Sequence, residues 1–334
     1  MTELNATQPA SMDVLGRGLK LPVIAAPMFL VSGPELVLAC CHEGIIGTFP
    51  ALNERSSEGF ESWLEQIKSD LATANRGTQS YGVNLIVHKS NPRLQMDLDL
   101  CVKHKVPLVI TSLGAVPDVV DAIHSYGGVV FHDVINLRHA QKAAGAGVDG
   151  LIAVAAGAGG HAGTMSPFAL VNEIRQFFKG QIILSGCLST GRDIATARML
   201  GADYAYLGTR FLSTRESRAV ADYQSMISQA AAADIVYTDK VSGVYANFLK
   251  ASLQATGMLE ASADPQKHKN IDFGEELQPP EDDTNSAWRD IWSAGQGVGS
   301  INDSPTVAAL VSQLSDEFKA ACEQHHMASA QFGR

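Results

Sequence analysis

Three features of the sequence predict an α/β chain built as a (β/α)8 TIM barrel. Eight short apolar runs follow one another, helical patterns lie between them, and run starts recur every ~20 to 40 residues. The runs are LPVIAAPM from Leu21, GIIGTFPA from Gly44, YGVNLIVH from Tyr81 and PLVITSLG from Pro107. They continue with GVVFHDVIN from Gly128, GLIAVAAG from Gly150, QIILSGCL from Gln181 and YAYLGTRF from Tyr204. Each is apolar on both faces, which parallel strands need when helices cover them.

The intervening segments read as helices in turn. GPELVLACCHEG places Pro34 in a first turn and Gly44 as a stop. PDVVDAIHSYGG sets Val119, Val120, Ile123 and Tyr126 three and four residues apart. LRHAQKAAGAGVDG and GRDIATARMLGAD both end helix–Gly–small–Asp, a repeated joint with glycine in the left-handed cap position. A doubly wound sheet is the rival fold, because Gly157, Gly159 and Ala162 satisfy G-x-G-x-x-A after a strand. That fingerprint belongs to a first strand and needs an acid ~20 residues on. Here the strand is the sixth and the later segment is Lys179-Gly180-Gln181.

A long remainder follows Leu207. Residues 215–257 read as several helices, 261–286 as a polar, proline-bearing loop, and Ser304-Pro305 as the cap of a last amphipathic helix. The expected organisation is a barrel over 1–214, a helical and loop lid subdomain over 215–287, and a return with a closing helix over 288–334. Such an excursion after the eighth strand would roof the C-terminal face.

Composition bounds the function. Charged residues are 18% of the chain and the net charge is −10, with no basic run to track a nucleic acid. One phosphate held by backbone N–H groups remains compatible. The five cysteines lack C-x-x-C spacing, so neither a disulfide framework nor a zinc site is expected, and Cys40-Cys41 read as buried thiols. The first 22 residues lack the build of a secretory leader and no run approaches ~20 apolar residues. A cytoplasmic chain with no membrane partner is expected, and its surface is compatible with a homodimer.

Barrel chemistry sits at the C-terminal ends of the strands. There the sequence places Ala26-Pro27-Met28, whose small residues allow a flat ligand close to the backbone. It also places Asn84, His132-Asp133, the AAGAGGHAG loop, Ser185-Gly186-Cys187 and Gly208-Thr209-Arg210. Gly186 and Gly208 would expose N–H groups to a phosphate, Thr209 a hydroxyl, and a helix starting near Asp193 its positive end. His161, flanked by Gly159, Gly160, Ala162 and Gly163, has neither helical neighbours nor apolar packing to account for it. It reads as a general base or an anion-binding imidazole. His42, His104, His124 and His139 fall in helical patterns and read as surface residues, and His88 as a second candidate to line the site.

Together AAPM, GVNL, AGGHAG, SGCLSTG, LGTRF and the late WSAGQGVGSI resemble the FMN-dependent nitronate monooxygenase family, formerly 2-nitropropane dioxygenase, from about Leu21 to Leu314. The same superfamily contains NAD(P)H:quinone reductases and enoyl-thioester reductases. The resemblance implies FMN in the barrel mouth. Ala26, Pro27 and Met28 would back its ring with Asn84 beside it, and Gly159 and Gly160 would line the ring edge or ribityl chain. Ser185, Gly186, Cys187, Gly208 and Thr209 would hold the phosphate, and Gln296 would reach over the flavin. His161 matches the catalytic histidine. Two positions depart from the pattern: Cys187 stands where many relatives have glycine, and Asp133 where quinone-reductase relatives carry a lysine toward the flavin. The implied reaction is oxidation of an alkyl nitronate by O2 to a carbonyl compound and nitrite. The alternatives are an FMN-dependent quinone or enoyl-thioester reductase using NAD(P)H and, in another class, a non-redox barrel binding a phosphorylated ligand.

Overall fold

The computed structural model describes residues 15, 16, 18–74, 77, 80–114, 116–241, 243–260 and 291–332. The expected loop over 261–286 lies outside them. Eight parallel strands close into a barrel: β1 (Val23–Ala25), β2 (Ile46–Pro50), β3 (Tyr81–Ile86), β4 (Leu108–Ser112), β5 (Val129–Val134), β6 (Gly150–Val154), β8 (Gln181–Ser185) and β9 (Tyr204–Leu207). Closure is made by β1 on β9, with Val23 opposite Ala205 and Ala25 opposite Leu207. The predicted (β/α)8 barrel is therefore the observed fold, and each apolar run supplies one of its strands.

Alternation along the strands sorts side chains into two cores. Val23, Val83, Val109, Val130, Leu151 and Ile182 face outward beneath the helices. Ile24, Ile46, Ile110, Phe131, Ile152 and Ile183 fill the barrel interior. Burying such side chains contributes ~1.5–3 kcal/mol each, so both faces of every strand favour the closed sheet.

The helices begin and end as their caps dictate. Helix α1 (Pro34–His42) has Pro34 in its first turn, and Gly44 follows it at φ +77°. Cys40 and Cys41 are buried there, as expected. Between β2 and β6 come α2 (Ser57–Thr73), α3 (Leu94–His104), α4 (Pro117–His124) and α5 (Leu137–Gly145). Helices α6 (Pro167–Phe177) and α7 (Gly191–Leu200) flank β8. Gly147 and Gly201 take positive φ at the repeated joint. The aspartate of that joint has a use of its own: Asp149 accepts from the Val130 N–H and Asp203 from the Ile182 N–H, each at 2.8 Å. Each carboxylate thus ties the start of one strand to the loop before the next. His104 departs from its surface reading. It is buried, with Nε2 3.1 Å from Glu61.

After β9 the chain leaves the barrel through α8 (Thr209–Leu212) and α9 (Ala221–Gln229). The expectation of helices throughout 215–257 fails in part. A hairpin of β10 (Ile235–Thr238) and β11 (Ala246–Leu249) precedes the short α10 (Lys250–Ala255). Strand β11 also pairs with the two-residue β7 (Gly160–His161) of the sixth barrel loop, forming a separate three-stranded sheet. Both faces of the hairpin are packed, Leu249 with Ile227 of α9 and Phe248 with Leu253 of α10, so its apolar residues carry a strand alternation rather than a helical period. The final helix, α11 (Val307–Phe332), buries Val307, Leu310, Val311 and Leu314. Its leading N–H, on Val307, is held by the Glu216 carboxylate at 3.0 Å. That cap comes from a residue distant in sequence, where Ser304-Pro305 had been the local expectation.

Candidate active site

Strand ends, the sixth loop and the excursion enclose a cavity of about 1080 Å³ at the C-terminal face. It is lined by Ala26, Pro27, Met28, Asn84, Asp133, Gly159, Gly160, His161, Ser185, Gly186, Cys187, Gly208 and Thr209. Those thirteen of the fourteen predicted site residues come together on one surface. Gln296 is not among the lining residues. Its N–H donates to the Gly157 carbonyl at 2.8 Å and its side-chain oxygen lies 3.9 Å from Cys187 Sγ. It therefore sits behind the Cys187 loop. His88 is likewise absent from the lining, its Nδ1 2.8 Å from Ser90 Oγ.

The floor is a polar layer set on the apolar barrel interior. Ser112 follows the inward Ile110, Asp133 follows Phe131, and Ser185 follows Ile183 at the same two-residue period. Asn84 Nδ2 donates to the Ile110 carbonyl at 3.3 Å and to Ser112 Oγ at 2.8 Å. Ser112 in turn donates to Asp133 Oδ2, while Asp133 Oδ1 is buried without a hydrogen-bond partner among the described residues. Burial pushes the Asp133 carboxyl up to about 6, opposed by the Ser112 hydrogen bond. The neighbouring His132 also borders the cavity but is paired with the adjacent strand. Its Nδ1 lies 2.7 Å from Thr111 Oγ1, and burial lowers its pKa to about 4.

The seventh and eighth strand ends provide open backbone donors. The N–H groups of Gly186, Cys187 and Gly208 make no hydrogen bond within the described residues. Cys187 takes φ +57°, a conformation that costs a residue with a side chain ~1–2 kcal/mol. Burial also raises its thiol pKa, so the side chain is a neutral thiol rather than a nucleophile. At Gly208 an added Cβ would meet only Ala26 Cβ at 3.7 Å and Met28 Sδ at 3.9 Å, so a larger side chain would extend into the cavity. Thr209 Oγ1 already accepts from the Gly295 N–H at 2.9 Å.

The helix near Asp193 contributes less than its position suggests. The Asp193 carboxylate accepts from the Ser189 and Thr190 N–H groups, both at 2.8 Å, and Glu317 from that of Gly191 at 2.7 Å. Two carboxylates thus occupy the positive end that had been assigned to a phosphate. The anion-binding capacity lies in the strand-end loops alone.

His161 borders the cavity from β7, its backbone opposite Ala246 of β11. Its side-chain area opens to the cavity, and desolvation by surrounding protein lowers its pKa below the ordinary imidazole value. The neutral form, able to accept a proton, is thereby favoured at neutral pH.

Several positioning residues escaped the sequence reading. Asn53 Nδ2 donates to the carbonyls of Met28 (2.9 Å) and Ser32 (2.8 Å), and its Oδ1 accepts from the Leu30 N–H at 2.9 Å. It holds the first loop, including Leu30 at φ +61°. Asn247 Nδ2 donates to the Ala158 carbonyl at 2.7 Å and ties the glycine loop to the excursion. Tyr237 and Tyr245 stack at 5.0 Å between ring centroids, and Phe29, Leu30, Leu113 and Val220 join them as exposed apolar residues lining the cavity. Only Ser112, next to the polar Asn84 in the barrel layer, had a usable signal: a hydroxyl at the inward end of an apolar strand.

The profile of the nitronate monooxygenase family matches residues 49–317. A nitronate monooxygenase of Paraburkholderia phytofirmans is 24% identical, with 92% of this chain and 94% of the relative covered. A 5-hydroxy-7a-methyl-1-oxo-octahydro-1H-indene-4-carboxyl-CoA dehydrogenase of Rhodococcus jostii is 25% identical over 75% of this chain and 71% of its own. Among solved structures, FabK from Thermotoga maritima superposes with a TM-score of 0.79 at 24% identity, covering 96% of this chain and 99% of that one. A nitroalkane oxidase from Streptomyces ansochromogenes gives 0.76 at 22% identity, with 93% and 99% covered. These two superpositions establish a shared fold. Among the described residues no helix is long and apolar enough to cross a membrane.

Proposed function

The chain belongs to the nitronate monooxygenase family and is a flavin-dependent oxidoreductase, and on that premise we propose that it binds FMN and oxidises alkyl nitronates with O2 to a carbonyl compound and nitrite. The observation that carries the reading is the convergence of His161 and the open N–H groups of Gly186, Cys187 and Gly208 on one cavity. The residues fit the cofactor. Unpaired backbone donors suit its phosphate, Ala26-Pro27-Met28 and Gly208 leave flat, uncrowded wall for its ring, and the unpartnered Asp133 Oδ1 suits a polar ring edge.

Bound FMN supplies the electron acceptor and the route by which electrons reach O2. The protein's part is binding, orientation and proton control. His161 hydrogen-bonds the anionic nitronate, and its favoured neutral form also equips it to take a proton from a neutral nitroalkane. Tyr237, Tyr245 and Trp292 enclose the substrate from the excursion side and limit water at the reacting face. The proposed domain organisation divides this enclosing role between the 215–287 subdomain, which carries Tyr237 and Tyr245, and the 288–334 return, which carries Trp292.

Anaerobic mixing of the yellow, flavin-loaded protein tests the assignment. Nitronate should bleach the flavin spectrum, whereas bleaching by NAD(P)H and not by nitronate would overturn it. The apolar rim favours one second reading, a reductase of a bulkier enoyl thioester, because Phe29, Leu30, Leu113 and Val220 leave more apolar wall than a short nitroalkane covers. NAD(P)H bleaching followed by reoxidation with an enoyl thioester would select it.

A further inference from the structure

The hydrogen bonds on the cavity floor run in one direction, from Asn84 to Asp133. An amide nitrogen can only donate, so Asn84 Nδ2 gives its hydrogens to Ile110 O and Ser112 Oγ. The Ser112 hydroxyl accepts from Asn84 and donates its single hydrogen to Asp133 Oδ2. That oxygen is therefore an acceptor. When the Asp133 carboxyl carries a proton, the proton resides on Oδ1, the oxygen left without a partner. An unpaired buried acceptor costs ~1–3 kcal/mol, and a buried neutral acid removes the larger penalty of an unpaired charge.

We propose that Asp133 is a hydrogen-bond donor of the cofactor floor, its proton fixed on Oδ1 by the Asn84–Ser112–Asp133 chain and offered to an acceptor atom of the flavin ring. The proposal rests on the flavin reading and extends it. Asp133 then controls how readily the ring accepts electrons: as the neutral acid it stabilises added negative charge, and as the carboxylate it opposes it. Ser112 is the positioning residue that selects which oxygen holds the proton.

The surrounding groups leave Asp133 as the one placed for this role. Tyr206 reaches the same region from β9, but burial, with Asp133 adding to it, raises its phenol pKa well above the ordinary value. His132 on β5 turns to Thr111, and His139 and Lys142 of α5 act on that imidazole. His161 on β7 borders the cavity with its neutral form favoured. Tyr206 keeps its phenol proton and the two imidazoles favour their neutral forms near neutral pH, so none of these groups exchanges a charge on the floor there. Asp133 is positioned to do so because burial brings its carboxyl to about 6.

The midpoint potential of the flavin-loaded protein, titrated with a chemical reductant from pH 5 to pH 8, tests the proposal. The wild-type plot should change slope within that range, the potential falling more steeply once Asp133 ionises. Asp133→Asn keeps a donor at every pH. It should lose the change of slope, coincide with wild type at pH 5 and lie above it at pH 8. Ser112→Ala should move the change of slope to another pH, and His161→Asn should retain it. A wild-type plot without the feature, its survival in Asp133→Asn, or its loss in His161→Asn overturns the proposal. A protein that takes up no flavin overturns the functional reading as well, which distinguishes the two failures.

Discussion

The floor and the roof of the cavity are built on opposite principles. The floor is made by strand ends, so each side chain is aimed by the barrel's two-residue alternation, and its polar groups are ordered by hydrogen bonds from Asn84 to Asp133. The roof comes from the excursion. There Tyr223 stacks on Trp292 at 5.0 Å, Tyr237 stacks on Tyr245, and Phe248 anchors a small separate core with Val241, Ala246, Leu253 and Ile291. The difference shows where each property resides. Under the proposed function, cofactor electronics would belong to the floor and substrate choice to a roof whose packing is largely its own.

Paired substitutions test that division most strongly. Phe131→Ala, in the barrel interior, should cost ~3–5 kcal/mol and lower the global melting transition. Phe248→Ala should loosen the roof while leaving the barrel's main calorimetric transition close to wild type. One shared transition shifted equally by both would break the comparison.

His161 stands where floor and roof meet. His161→Asn should reduce nitronate turnover by about 10²–10⁴-fold with flavin still bound and the circular dichroism spectrum unchanged. Its lowered pKa sets the sign of the pH dependence. Where neutral imidazole is required, activity should persist below the ~6.5 of a free histidine before falling in acid. Steady-state rates on a neutral nitroalkane between pH 5 and 8 read this directly.

Asp133 sharpens the picture of the floor through stability. Its carboxyl titrates at about 6 in the folded chain against ~3.9 unfolded, so the folded state holds the proton more tightly. Its contribution is full below the unfolded value and is lost as pH rises through about 6. In flavin-free protein, Asp133→Asn should therefore gain stability relative to wild type between pH 4 and pH 8, on the order of 2 kcal/mol, by urea denaturation at each pH. The smallest effect belongs to Cys187. Cys187→Gly relieves its left-handed backbone, a gain of ~1–2 kcal/mol, but adds ~0.4–1 kcal/mol of unfolded-state entropy. A net rise of about 0 to 1.6 kcal/mol in denaturant unfolding is expected.

The barrel was legible because each strand is buried on both faces and announces itself as a continuous apolar run, as VVFHDV and QIILS do. The floor residues were legible by the same logic, since Asn84 and Asp133 interrupt such runs in their C-terminal halves. What was hidden depends on contacts between distant segments. Nothing local in ANFL marks it as a strand, because its partners are Ile235–Thr238 and Gly160-His161. Nothing near Asp193 reveals that Glu317, on the final helix, completes the neutralisation of the α7 N-terminus. Nor does the sequence around Val307 point to Glu216 as its cap.

The pairing of Gly160-His161 with Ala246-Asn247 also bears on how this chain could be recombined with its relatives. The imidazole is encoded in the barrel but seated by a strand encoded some 85 residues later. A chimera that exchanges the excursion at its sequence boundaries would keep the histidine and discard its alignment. The smallest transferable unit is therefore discontinuous, consisting of the sixth loop together with the hairpin, and either part inherited alone would leave the other without its register.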